Sequence, residues 1–225
     1  MRSLKFAIFD MDGLLFDTER PSYIAMKRVI ENKFGYEFPL DNYKLMIGIN
    51  GRQCDEVMKK LYGNDFSMNL IYEEYHHQFS NILQQEGLQI KKGAKDLLLF
   101  LDNKGVKKCI ASSSSRETIQ TYLSMAGLAG RFDFYISGEE VRRGKPYPDI
   151  FLGACERGNE EPVNSLVLED SLNGLRAAVG AGIDCIIVPD LIEPNEEMKK
   201  HAYDIVPDLS QVIRILEKER SVDIG

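Results

Sequence analysis

The stretch "FAIFDMDGLLFDTE", Phe6–Glu19, decides the fold. It opens with four aliphatic and aromatic residues and then sets Asp10 and Asp12 two apart, beside Gly13. A short unbroken apolar run with no alternation reads as a strand buried on both faces, the pattern of a parallel sheet. Carboxylates directly after such a strand lie where open parallel sheets bind ligands, beyond the carboxyl ends of their strands. A turn with Asx hydrogen bonds is the ordinary alternative for two aspartates alone. The rest of the chain decides between them.

Extended back to Leu4–Phe9, this run is the first of five β-like segments, the others being Val106–Ala111, Phe132–Ser137, Ser165–Leu168 and Asp184–Pro189. From Val106 onward they alternate with helical patterns at Glu117–Ala126, Asp149–Arg157, Leu172–Ala181, Glu196–Ala202 and Gln211–Glu219. Alternation of this kind predicts an α/β protein with a Rossmann-like parallel sheet covered by helices on both faces. The interval between the first two strands breaks the pattern. It carries helical signatures at Arg20–Glu31, Arg52–Leu61 and Leu70–Glu86, punctuated by "FGYEFP", "GING" and "YGND", and is too long for one crossover. Residues 17–89 are expected to form an inserted helical subdomain, with hinges near Phe16–Arg20 and Gln89–Gly93, and residues 1–16 and 90–225 the core.

Hydrophobic residues make up 44% of the chain and charged residues 28%, which sets intrinsic disorder aside. A net charge of −7 and a pI near 5.1 speak against a broad basic surface, so neither a nucleic acid nor a membrane is expected as partner. Cys54, Cys109, Cys155 and Cys185 show no C-x-x-C spacing, and reduced cytoplasmic thiols are the default. Cys109 and Cys185 sit in apolar runs and read as small buried hydrophobes. The chain enters a strand at once, without a signal-type h-region or a membrane-spanning run, and a cytoplasmic monomer is expected.

The polar clusters fall at the strand ends. Asp10 and Asp12 follow the first strand, "SSSS" (Ser112–Ser115) the second, "GKPYPD" with Lys145 precedes a helix, and Glu169 with Asp170 ends the fourth. Carboxylates gathered at one crevice raise one another's pKa unless a cation sits among them. All-oxygen ligation without histidine or cysteine suits Mg²⁺. Serine hydroxyls and N–H groups opening a helix make an anion cradle, to which Lys145 adds a point charge. Cation and anion cradle together indicate phosphate.

In that order, "DMDG", "ASSSS", "GKPYPDIF" and "LEDSLNG" resemble the four motifs of the haloacid dehalogenase (HAD) superfamily, and the match spans the core. The helical insertion after the first motif resembles the cap of its subfamily I, which includes β-phosphoglucomutase, phosphoglycolate phosphatase and sugar-phosphate phosphatases. "DMDGLLFDTE" and "VPD" further resemble a branch that includes pseudouridine-5′-phosphatase. The resemblance implies Asp10 as nucleophile, forming an aspartyl-phosphate, and Asp12 as general acid and then general base. It implies that Ser112, Ser113 and Lys145 hold the phosphoryl oxygens, with Ser112 and Lys145 stabilising the transition state. It implies Mg²⁺ on Asp10, Asp170 and the main-chain carbonyl of Asp12, with Glu169 ligating directly or through water. The substrate is then a small phosphorylated metabolite. A β-phosphoglucomutase-type transfer is the runner-up, and a non-catalytic phosphate sensor on the same fold is the alternative from another class. In the mutase a cap-hinge histidine lies four residues after the "DT" threonine, a position held here by Ser22.

His76, His77 and His201 read as surface or packing residues, and Tyr72, Tyr75 and Phe79, at helical spacing, as cap core. Arg52, after "GING", is either a cap-borne substrate contact or a solvated helix start. As a substrate contact, Arg52→Ala should raise KM for the physiological substrate several-fold more than for a small aryl phosphate. Equal effects on both would place Arg52 outside the substrate pocket.

Overall fold

The computed structural model describes residues 4–49 and 51–222. The outermost residues of the expected core, 1–3 and 223–225, and Asn50 of "GING" lie outside the described residues. The chain separates into two compact units, one running up to Asp17 and resuming at Gln89, the other Thr18–Leu88.

The first unit is built on β1 (Phe6–Phe9), β2 (Lys107–Ser112), β3 (Phe134–Ser137), β4 (Ser165–Glu169), β5 (Asp184–Ile187) and β6 (Asp204–Ile205). All pair in parallel, in the order β3-β2-β1-β4-β5-β6. "FAIF" at the centre is buried at every position, which is why it shows no alternation. Its helices are α5 (Ala94–Asn103), α6 (Arg116–Met125), α7 (Asp149–Gly158), α8 (Leu172–Ala181), α9 (Glu196–His201) and α10 (Leu209–Val222). One sheet face, with Phe6, Ile8, Cys109, Val167 and Cys185, packs against Phe151 and Ala154 of α7, Leu175 of α8 and Met198 of α9. Elsewhere α5 lies against β2, and α10 against α5. Cys109, Cys155 and Cys185 are free thiols buried in this core. Helix α5 carries no periodic signal in the sequence, because "LLLFL" is apolar throughout, although Leu97, Leu98 and Leu101 are buried while Leu99 is 54% exposed. Strand β6 is two residues long, too short to leave a pattern.

The second unit holds α1 (Glu19–Phe34), α2 (Leu40–Lys44), α3 (Gly51–Tyr62) and α4 (Tyr72–Glu86), with α1 packed along α4. Aromatic rings pair through it: Phe34 meets Phe66 at 5.1 Å, Tyr23 lies 5.6 Å from the buried Tyr43, and the exposed Tyr36 stacks on Tyr62 at 5.0 Å. Tyr43 donates to Glu19 at 2.6 Å, and the hydroxyls of Ser22 and Tyr75 share a hydrogen bond of 2.8 Å. Tyr75 and Phe79 are partly buried and stacked, but Tyr72 is 60% exposed and does not belong to the core expected of it. Ile71, Ile82 and Leu83 carry the buried face instead. Among the described residues no helix is long and apolar enough to cross a membrane.

The central strand sets the stability of the first unit. Ile8 is fully buried between Cys109 and Val167, whereas Leu152 on α7 is 42% exposed. Ile8→Ala should cost about 2–5 kcal/mol in urea unfolding, and Leu152→Ala about 0.5 kcal/mol or less. Equal losses would contradict this packing.

Candidate active site

Sheet register gathers the site. Phe9 pairs with Ile110 on one side and Leu168 on the other, so Asp10 lies beside Glu169, and Ser112 ends β2 two residues past the pairing. The Asp10 N–H donates to the Leu168 carbonyl at 3.0 Å, fixing the first residue after the strand. With order β2-β1-β4, the chain leaves β1 where the winding reverses, the position at which open α/β sheets form a crevice.

Lys145 reaches this point from the segment before α7. Its ammonium donates to Asp10 Oδ1 at 2.5 Å, to Glu169 Oε1 at 2.6 Å and to the Ala111 carbonyl at 3.1 Å, with the Phe151 ring 5.1 Å away. All three charged side chains are 10% exposed or less. Burial pushes the Asp10 carboxyl up to about 8; Lys145 opposes that, and the charges of Glu169 and Asp12 add to it. Burial would likewise raise Glu169, but the Lys145 ammonium and hydrogen bonds from Ser171 outweigh it and hold that carboxyl below its ordinary value. Burial would lower Lys145, and the two carboxylates overcome this and raise it. Glu169 is the anchored member: Oε2 accepts from the N–H groups of Asp170 and Ser171 and from Ser171 Oγ, each at 2.9 Å.

Asp12 has different company. Its Oδ2 accepts from Ser114 Oγ at 2.8 Å and from Ser112 Oγ at 3.4 Å. The four serines divide the work. Ser112, buried at the end of β2, accepts from the Ser114 N–H at 3.0 Å; Ser113 is exposed; Ser115 caps α6 by accepting from the Thr118 N–H at 3.1 Å. Ser114 is the residue that sequence reasoning missed. Its one signal was position i+2 from Ser112 in a turn, and three identical neighbours hid it.

Asp10, Glu169 and Asp170 each offer a carboxylate oxygen, and these lie within 4.8 Å of one another. Gly13 makes room for this group: its φ is +80°, and a Cβ there would stand 2.3 Å from Asp170 Oδ2. An all-carboxylate donor set, with Asp10 pushed up by burial and further by the charges of Glu169 and Asp12, is a fit for a hard divalent cation. The structure thus brings Asp10, Asp12, Ser112, Lys145, Glu169 and Asp170 to one sheet edge. Arg52 belongs to the helical unit, where its side chain is 90% exposed and lies 3.6 Å from Glu56.

The family model of the haloacid dehalogenase-like hydrolases matches residues 7–188. The chain belongs to this family, and it is a hydrolase of the phosphatase class that its relatives share. It is 31% identical over 218 residues to a Drosophila melanogaster protein named probable pseudouridine-5′-phosphatase, covering 93% of this chain and 92% of that one. It is 33% identical over 187 residues to the phosphorylated carbohydrates phosphatase of Thermotoga maritima, covering 81% and 84%. The crystal structure of β-phosphoglucomutase from Clostridium difficile superposes with a TM-score of 0.76 over 99% of this chain and 100% of that one, at 24% identity, and shows the shared fold.

The ion triad has a stability consequence. Lys145→Met leaves Asp10 and Glu169 buried without their counter-charge, at a cost of about 3–5 kcal/mol near neutral pH. Without the ammonium the Asp10 carboxyl rises further above its unfolded value, and Glu169, now buried without its counter-charge, rises above its own. The folded chain then holds protons that the unfolded chain releases, so stability falls as pH rises. Urea unfolding should show a larger loss at neutral pH than in mild acid. A loss independent of pH would contradict the pairing.

Proposed function

We propose that the chain is a Mg²⁺-dependent phosphomonoesterase that hydrolyses a small phosphorylated metabolite through an aspartyl-phosphate on Asp10. The observation that carries this reading is the contrast between two carboxylates two residues apart. Asp10 is buried and charge-paired with Lys145, while Asp12 is half-buried and held by neutral serine hydroxyls. One is set as nucleophile and the other to move protons.

In the first step an Asp10 carboxylate oxygen bonds to phosphorus and the ester P–O bond breaks. Asp12 gives its proton to the departing alkoxide. In the second, Asp12 takes a proton from water, whose oxygen attacks phosphorus, and the bond to Asp10 breaks. Lys145 and the N–H groups after Ser112 hold the phosphoryl oxygens, where transition-state charge spreads. Asp10, Asp170 and the Asp12 main-chain carbonyl would hold Mg²⁺, with Glu169 engaged by Lys145 and its own loop. When bound there, Mg²⁺ would offset the neighbouring carboxylate charge, favour the ionised form of Asp10 and supply Lewis-acid polarisation of a phosphoryl oxygen.

The relatives' named substrates suggest a hydroxyl-rich phosphate ester. Thr18–Leu88 is read as the cap that selects it and excludes water. Phosphoryl transfer between sugar hydroxyls is the second reading, and Ser22 bears on it. Its hydroxyl is bonded to Tyr75, and serine cannot relay a proton near neutral pH as imidazole can. Water should then be the acceptor.

With Mg²⁺ the protein should release phosphate stoichiometrically from sugar and polyol phosphates, and EDTA should stop it. Asp10→Asn should lower turnover at least about a thousandfold with folding intact. ³¹P NMR on β-glucose 1-phosphate decides between the readings: rapid formation of glucose 6-phosphate with little free phosphate would overturn hydrolysis.

A further inference from the structure

The end of β3 is built against the serine loop in a way the reaction itself does not require. Ser137 is fully buried and pairs in register with Ser112. Its Oγ donates to the Ser114 carbonyl at 2.8 Å and accepts from the Glu139 N–H at 3.2 Å. Gly138 follows, where a Cβ would stand 2.6 Å from the Ser113 carbonyl oxygen and 3.1 Å from its Cα. Only a residue without a side chain lets the two backbones come this close. Beyond it, Gly138–Glu140 forms one 3₁₀ turn closed by a capping box, in which Glu140 accepts from the Ser137 N–H at 3.0 Å. Arg116 and Arg157 hold Glu140 at 3.1 and 2.7 Å, and Glu139 accepts from the Arg116 N–H at 3.1 Å. The turn is thus tied on both sides, to the start of α6 and to α7.

What this turn presses on is the backbone of Ser113 and Ser114, and Ser114 Oγ is the shorter of the two hydroxyl bonds to Asp12. We propose that Ser137 and Gly138 are positioning residues for Asp12. They fix the Ser113–Ser114 backbone so that the Ser114 hydroxyl aims the Asp12 carboxyl at the leaving oxygen. Neither residue touches the phosphoryl group in this arrangement; both act through Ser114. The inference rests on the reading of Asp12 as general acid.

A misaimed general acid has a signature that general disorder lacks. A departing alkoxide of high pKa needs its proton in the transition state, whereas a dinitrophenolate leaves without one. Since kcat/KM reports phosphoryl transfer to Asp10, it should be measured with Mg²⁺ on glycerol 3-phosphate and on 2,4-dinitrophenyl phosphate. Wild type, Ser137→Ala, Gly138→Ala, Ser114→Ala and Asp12→Asn should be compared. Asp12→Asn should lose about 10²-fold or more on the alkyl ester and far less on the aryl ester. Ser137→Ala, Gly138→Ala and Ser114→Ala should show the same pattern at about tenfold, with the aryl ester changed less than about threefold.

If Asp12→Asn discriminates between the esters and the Ser137 and Gly138 variants do not, because they lose equally on both or lose nothing, the positioning role is overturned and the reading of Asp12 stands. If Asp12→Asn loses equally on both, the general-acid reading falls and the positioning role falls with it. Should Gly138→Ala fail to fold, Ser137→Ala carries the same test, since it removes one hydroxyl and adds no bulk.

Discussion

One buried ammonium holds the site together. Lys145 donates to two carboxylates and a carbonyl from within the unit, and taking any of these charges out of water alone would be costly. The arrangement is stable because each partner is secured from elsewhere. Glu169 is fixed by the loop that follows it, Asp10 by its main-chain bond to β4, and the lysine ammonium lies over the ring of Phe151. Even so, burial pushes the Asp10 carboxyl up, and the charges of Glu169 and Asp12 add to that more than Lys145 can undo. That imbalance is what a divalent cation would correct, and it places structure and proposed chemistry on the same electrostatic footing.

The two aspartates of the first motif show how a small offset separates two surroundings, which the proposed mechanism puts to two tasks. Leaving a strand, residues two apart would share a face, but the turn Met11–Phe16, closed by bonds from Leu15 and Phe16 to Met11, separates their surroundings. Asp10 stays under the sheet edge with charge partners, while Asp12 meets the serine loop of β2. In the helical unit, aromatic pairs and the Glu19–Tyr43 and Ser22–Tyr75 bonds supply a core of its own. Such pairs make a unit of this size cohesive without a sheet.

Much of this was legible in the sequence, for physical reasons that differ by residue. Buried parallel strands leave unbroken apolar runs, so "FAIF", "SLVL" and "CII" announced themselves. Asp10, Lys145, Glu169 and Asp170 stood out as charges directly beside such runs or in a turn before a helix. Helix α5 was hidden by a lack of polar contrast, and β6 by its length. Ser114 was hidden among identical serines. Ser137 and Gly138 gave no signal at all, because their part depends on the approach of two backbones from distant stretches, which no local pattern encodes. Tyr72 shows the reverse error: helical spacing marks a stripe, but only packing decides which of its members are covered.

The central claim is that phosphoryl transfer passes through Asp10. Rapid acid quenching of the Mg²⁺-loaded protein during turnover, followed by peptide mass spectrometry, tests it directly. The account predicts a phosphoryl group on the peptide that carries Asp10, formed and lost at rates matching phosphate release, and absent in Asp10→Asn. Turnover at full rate with no phosphoryl group on that peptide at any time would contradict it.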